Sequence, residues 1–127
     1  MNPTARISKC VERVCHNTLP WLIFFSLGAS GFTLRLVEVL AAVPLDDTLG
    51  YLHVDLDVLD PSVGQANSLL VPGGLSVEQL IDAIGAIKAR TQLGAAAITS
   101  YAPEYDSDKA VCRAAFGAIQ AILGERA

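Results

Sequence analysis

Apolar and polar positions alternate along residues 51–59, "YLHVDLDVL". Strand side chains point to opposite faces in turn. Leu52, Val54, Leu56 and Val58 therefore share one face, and Tyr51, His53, Asp55 and Asp57 share the other. Asp60-Pro61 ends the strand, because proline has no N–H to give a ladder and Asp-Pro favours a turn. Upstream, "FTLRLVEVLAAVPL" (32–45) has helical spacing. It places Leu34, Val37, Leu40 and Ala41 on one face, with Pro44 and "DDTLG" as the stop. Downstream, 62–74 reads as a loop. Ser76, with Gln79 three residues on, has the form of a capping box. Val77, Leu80, Ile81, Ile84 and Ile87 continue at helical spacing, and Gly94 closes that unit. "AAAITSYAP" (95–103) reads as a second strand. "DSDKAVCRAAFGAIQAILG" (106–124) opens on an aspartate suited to capping and aligns Val111, Ala115, Ile119 and Ile122.

The order is helix, strand, long loop, helix, strand, helix. Strands separated by helices imply an α/β fold with a parallel sheet. In such sheets ligands bind at the carboxyl ends of the strands. His53, Asp55 and Asp57 approach one such end, and Ser100 and Tyr101 the other.

Composition narrows the classes. The chain has 127 residues, the size of one domain, and 52% are hydrophobic, enough to build a core. The net charge is −4 and no basic patch is present, which argues against nucleic acid as a partner. Cys10, Cys15 and Cys112 are an odd set without metal-site spacing, which points to a reducing cytoplasm. Arg6, Lys9 and Arg13 before "LPWLIFFSLGASG" (19–31) give a superficial likeness to a signal peptide. Pro20 and the glycines and serines oppose that, so a buried loop or short buried strand at 21–27, with no membrane association, is the expectation.

Asp55 and Asp57 carry the candidate chemistry. On one strand face they lie roughly 6–7 Å apart, from a rise of ~3.3 Å per residue. Two ionised carboxylates that close repel unless one is protonated or a cation sits between them. Oxygen donors suit manganese, magnesium or calcium, and an added imidazole from His53 favours manganese, zinc or iron. The plainer alternative is an edge strand with a solvated polar face. Asp60 has the plain role of capping a turn. A strand ending in Asp-x-Asp-x-Val-Leu also resembles the haloacid-dehalogenase-type phosphatases, which would make Asp55 a nucleophile and Asp57 a general acid/base.

The whole stretch "HVDLDVLDPSVGQANSLLVPGGLS" resembles the ureohydrolase family of arginases, agmatinases and formiminoglutamases. Their signature is Ser-x-Asp-x-Asp-x-x-Asp-Pro followed by Pro-Gly-Gly-Leu-Ser/Thr. The Asp-x-Asp-x-x-Asp-Pro is intact, His53 replaces the serine, and "PGGLS" stands at 72–76. The resemblance covers about 32–127 and implies the C-terminal part of a three-layer α/β/α, arginase-like fold. On that reading the fold is incomplete, and 1–31 is a segment of unclear origin. It further implies a two-manganese site that hydrolyses linear C–N bonds of guanidino or amidino compounds, with Asp55 and Asp57 as ligands. The family's upstream histidine and Asp-Ala-His-x-Asp segment are absent, and the one other histidine is His16. Ser100 falls where the family carries a substrate-binding glutamate, and serine lacks the bidentate charged grip on a guanidinium. A truncated site and exposed strand edges imply self-association, or a non-catalytic interaction module as the alternative.

Overall fold

The computed structural model describes residues 32–43, 45 and 49–124. The apolar run 21–27 lies outside them. Three helices and two strands follow in order: α1 (Phe32–Ala42), β1 (Leu49–Asp55), α2 (Val77–Lys88), β2 (Gln92–Thr99) and α3 (Ala110–Leu123), with a 3-10 turn at Leu56–Val58.

β1 and β2 pair in parallel, from Leu49 opposite Gln92 to Asp55 opposite Thr99. Parallel neighbours need a crossover, and the loop plus α2 provides it. The alternation expected for β1 holds: Val54 is buried, while Tyr51, His53 and Asp55 are exposed. β2 starts at Gln92, three residues before its expected start at Ala95, so Gly94 lies inside the strand and does not terminate the helix. α2 has already stopped: the N–H groups of Arg90 and Thr91 both return to the Ile87 carbonyl.

Ser76 caps α2 as expected. Its hydroxyl accepts from Gln79 N at 3.2 Å, and the Gln79 side chain accepts from Ser76 N at 2.9 Å. Such a cap stabilises a helix by about 1 kcal/mol. α2 then divides two apolar clusters. Leu80 and Ile84 join Val54, Leu56 and Val111, whereas Ala83 joins Leu36, Leu40 and Leu75.

That division decides which face of α1 is buried. Leu40 is buried as expected and Leu36 joins it, but Leu34 is 74% exposed and Val37 49% exposed, against the expected face. The segment is apolar on several sides, so two stripes fit the helical period equally. Contact with Ala83 and Leu75 selects the one carrying Leu36. In α3 the expected face holds for Val111, Ala115 and Ile122, which pack in or against the core, and fails at Ile119. Val111, Ala114 and Ala118 are buried while Ile119 is exposed, because the alanines let α3 approach α2 closely. Lys88 Nζ donates to the Ala121 carbonyl at 2.6 Å and joins the carboxyl ends of α2 and α3. Among the described residues no helix is long and apolar enough to cross a membrane.

Candidate functional site

Asp55 ends β1. Its Oδ1 accepts from the Asp57 N–H at 3.0 Å, and this turn caps the 3-10 segment. Asp57 therefore leaves the strand register, and the expected shared face of Asp55 and Asp57 does not form. The local side-chain bond competes with the ladder and wins. Leu56 and Val58 keep the apolar alternation, so the pattern looks like a continued strand.

Asp57 is half-buried and turns toward the loop. Its Oδ1 accepts from Asn67 Nδ2 at 2.5 Å. Burial pushes its pKa up, the Asn67 bond opposes that, and the charge of Asp55 adds to the rise; the net direction is upward. His53 is exposed and pairs with the Thr99 hydroxyl through Nε2 at 2.8 Å, across the strand pair. Its ring stands edge-on to Tyr51 with centroids 6.4 Å apart.

Asp60 has the structural role expected. Oδ1 accepts from Ser62 N and Oδ2 from Gly73 N, each at 2.9 Å. These bonds, those with Ser62 foremost, hold its pKa down to about 2. One carboxylate thus ties both ends of the loop. Beside it, Asp60 N donates to Leu75 O at 2.9 Å and Leu75 N to Val58 O at 2.7 Å. Gly74 permits that approach: a Cβ there would lie 2.5 Å from Asp60 N and from the Leu59 carbonyl carbon.

Ser100 follows β2 directly and adopts a left-handed backbone, φ 67°. Its carbonyl accepts from Asn67 Nδ2 at 3.0 Å, and Ala102 N donates to Ala66 O at 2.8 Å. The loop is so fastened to the end of β2 at two points. Asn67 has no place among the residues the sequence singles out. Its partners lie 10 and 33 positions away, and its one local trace is the turn in which Oδ1 accepts from Leu69 N at 2.8 Å. Beyond Ser100, Asp106 caps α3 from outside the helix. It is buried and accepts from Val111 N, Cys112 N and the Tyr101 hydroxyl. Burial raises its pKa, but these three donors and nearby Lys109 outweigh burial and the net shift is downward.

The arrangement places one carboxylate at the end of β1 and a second in the turn that follows, each with one oxygen, Oδ2, that receives no hydrogen bond from the described residues. Hard oxygen donors of this kind fit manganese. Among the described residues, no three His, Cys, Asp or Glu side chains converge as a metal site. The donor set fits a share of an ion's coordination and does not make a two-ion site.

Solved structures with the same fold include an arginase from Bacillus caldovelox, 24% identical with a TM-score of 0.66, aligned over 76% of this chain and 32% of that one. The formimidoylglutamase from Bacillus subtilis is 26% identical, with a TM-score of 0.66, over 74% of this chain and 29% of that one. A hypothetical agmatinase from Burkholderia thailandensis is 25% identical, with a TM-score of 0.64, over 72% and 29%. The chain spans about a third of the length of these structures. No curated protein sequence matches it. The family model described as the arginase family matches residues 26–124, which sets aside the phosphatase reading of Asp55 and Asp57. With the motif, the two carboxylates and the fold in agreement, the chain belongs to the arginase family.

Proposed function

We propose that Asp55 and Asp57 supply carboxylates to the manganese site of a hydrolase that cleaves linear C–N bonds in guanidino or amidino compounds. The reading is carried by one observation: in an arginase-family chain, the intact Asp-x-Asp of the motif straddles the carboxyl end of a parallel strand, with one oxygen of each carboxylate not hydrogen-bonded by the described residues. Bound manganese would supply a water of lowered pKa as nucleophile at neutral pH. The remaining ligands come from another polypeptide segment. Ser100, at the end of β2, is the candidate substrate contact. Its hydroxyl offers no carboxylate grip, so a substrate less dependent on a charged guanidinium clamp than arginine fits better. A cytoplasmic location is part of this reading and rests on the cysteine usage.

Calorimetric titration of manganese into the metal-free chain, with Asp57→Ala beside it, tests the proposal. Saturable binding abolished by the substitution is the expected result. Absence of saturable binding to the parent chain refutes it.

A second reading, an interaction module without chemistry, draws on exposed apolar side chains: Leu34, Leu69, Leu70, Val71 and Phe116 are each more than half exposed. Both readings include self-association. Sedimentation velocity separates a monomer from an oligomer, and a monomer with unaltered function in Asp55→Ala removes the case for either role of these residues.

A further inference from the structure

We propose that Asn67 is a positioning residue. Its side-chain amide fixes the Asp57 carboxylate through Oδ1, leaves Oδ2 for a cation, and locks that carboxylate to the end of β2. The proposal rests on the metal reading of Asp57.

The amide nitrogen carries two hydrogens, and both are used. One goes to Asp57 Oδ1 at 2.5 Å and the other to the Ser100 carbonyl at 3.0 Å. The amide oxygen accepts from Leu69 N at 2.8 Å. This network admits a single orientation. A flipped amide would set its oxygen against a carboxylate and a carbonyl, both acceptors only, and its NH2 against a donor. The backbone at Asn67 is itself held, because Gln65 Nε2 donates to its carbonyl at 2.8 Å. Ala66 is buried beside it and bonds to Ala102. On the far side Ser100 holds a left-handed conformation that non-glycine residues seldom take, and its carbonyl meets the same amide. Three chain segments thus converge on one side chain: the turn after β1, the loop, and the residue after β2. Groups that orient a metal ligand from behind commonly change affinity 10–100-fold when removed.

The test separates positioning from plain loop structure. Asn67→Ser keeps an acceptor for the Leu69 N–H but cannot donate to both Asp57 and Ser100; Asn67→Ala removes all three bonds. Manganese alone is titrated into the metal-free parent chain, both variants and Asp57→Ala, and each is melted without metal. The expected result is roughly 10–100-fold weaker binding in Asn67→Ser, with a cooperative melt that shows the variant is folded. Manganese affinity equal to the parent's in Asn67→Ser overturns the positioning role, even if stability falls. A second readout needs no metal and no variant of Asn67. In NMR spectra of the parent chain the Asn67 side-chain protons should exchange with water more slowly than exposed amides, and Asp57→Ala should reduce that protection by removing one of the two acceptors. Unprotected Asn67 protons overturn the proposal directly. If the parent chain takes up no manganese, the metal reading fails and the positioning role fails with it. Failure in Asn67→Ser alone leaves the metal reading standing.

Discussion

Gly74→Ala tests how the loop is closed against the turn that carries Asp57. A Cβ at this position would sit 2.5 Å from Asp60 N and the Leu59 carbonyl carbon and 2.6 Å from Val58 O. All three are backbone atoms, so no side-chain rotation relieves the clash. The two segments must separate, and separation breaks the Asp60 N to Leu75 O and Leu75 N to Val58 O bonds. Overpacking costs about 1–3 kcal/mol, and each lost backbone bond about 1 kcal/mol net. The sum is about 3–5 kcal/mol, a large share of the ~5–15 kcal/mol that holds an ordinary domain together. Urea unfolding followed by far-ultraviolet circular dichroism measures it. Gly85→Ala is the control: it lies inside α2, an added Cβ meets nothing within 4 Å, and it should stabilise by about 0.5–1 kcal/mol. If Gly74→Ala falls within ~0.5 kcal/mol of the parent, the close approach is not what holds the loop.

Three further outcomes follow from the same contacts. Asp60 has a folded pKa of about 2, below its unfolded value near 3.9, so its contribution to stability is complete above that value and fades as pH falls toward 2. Asp60→Asn should flatten this acid limb in melting temperatures measured from pH 5 to pH 2, and an unchanged limb refutes the assignment. Asp106→Ala leaves Val111 N, Cys112 N and the Tyr101 hydroxyl without their acceptor; a loss of about 3 kcal/mol or more in urea unfolding is expected, and a loss under 1 kcal/mol contradicts it. Ile84→Ala opens a cavity at a side chain 1% exposed in the main cluster and should cost about 2–5 kcal/mol by the same assay.

Much of the architecture could be read from the chain. The capping box at Ser76, the parallel order of strands and the placement of Asp55 at a strand end all follow local rules, and the structure has them. The misreadings share a cause. Asp57 looked like strand because Leu56 and Val58 preserve a period of two through a 3-10 turn, and the Asx turn that breaks the strand leaves no mark in apolar periodicity. Leu34 and Leu36 could each head a buried stripe, and only the position of Ala83 on another helix decides between them. Asn67 was out of reach because its role comes from partners brought together by the crossover.

The parallel pairing has a consequence for how the chain folds during synthesis. Leu49 meets Gln92 and Asp55 meets Thr99, so the pairing of β1 seen among the described residues forms only after 43 or 44 further residues have been made. At roughly 5–20 residues per second on the ribosome, β1 waits about 2–9 s with its hydrogen-bonding edge open. A loop of that size must close before the strand pairing rewards it, a slower step than forming local helix contacts. Slower translation lengthens the time during which that strand edge is open to other chains.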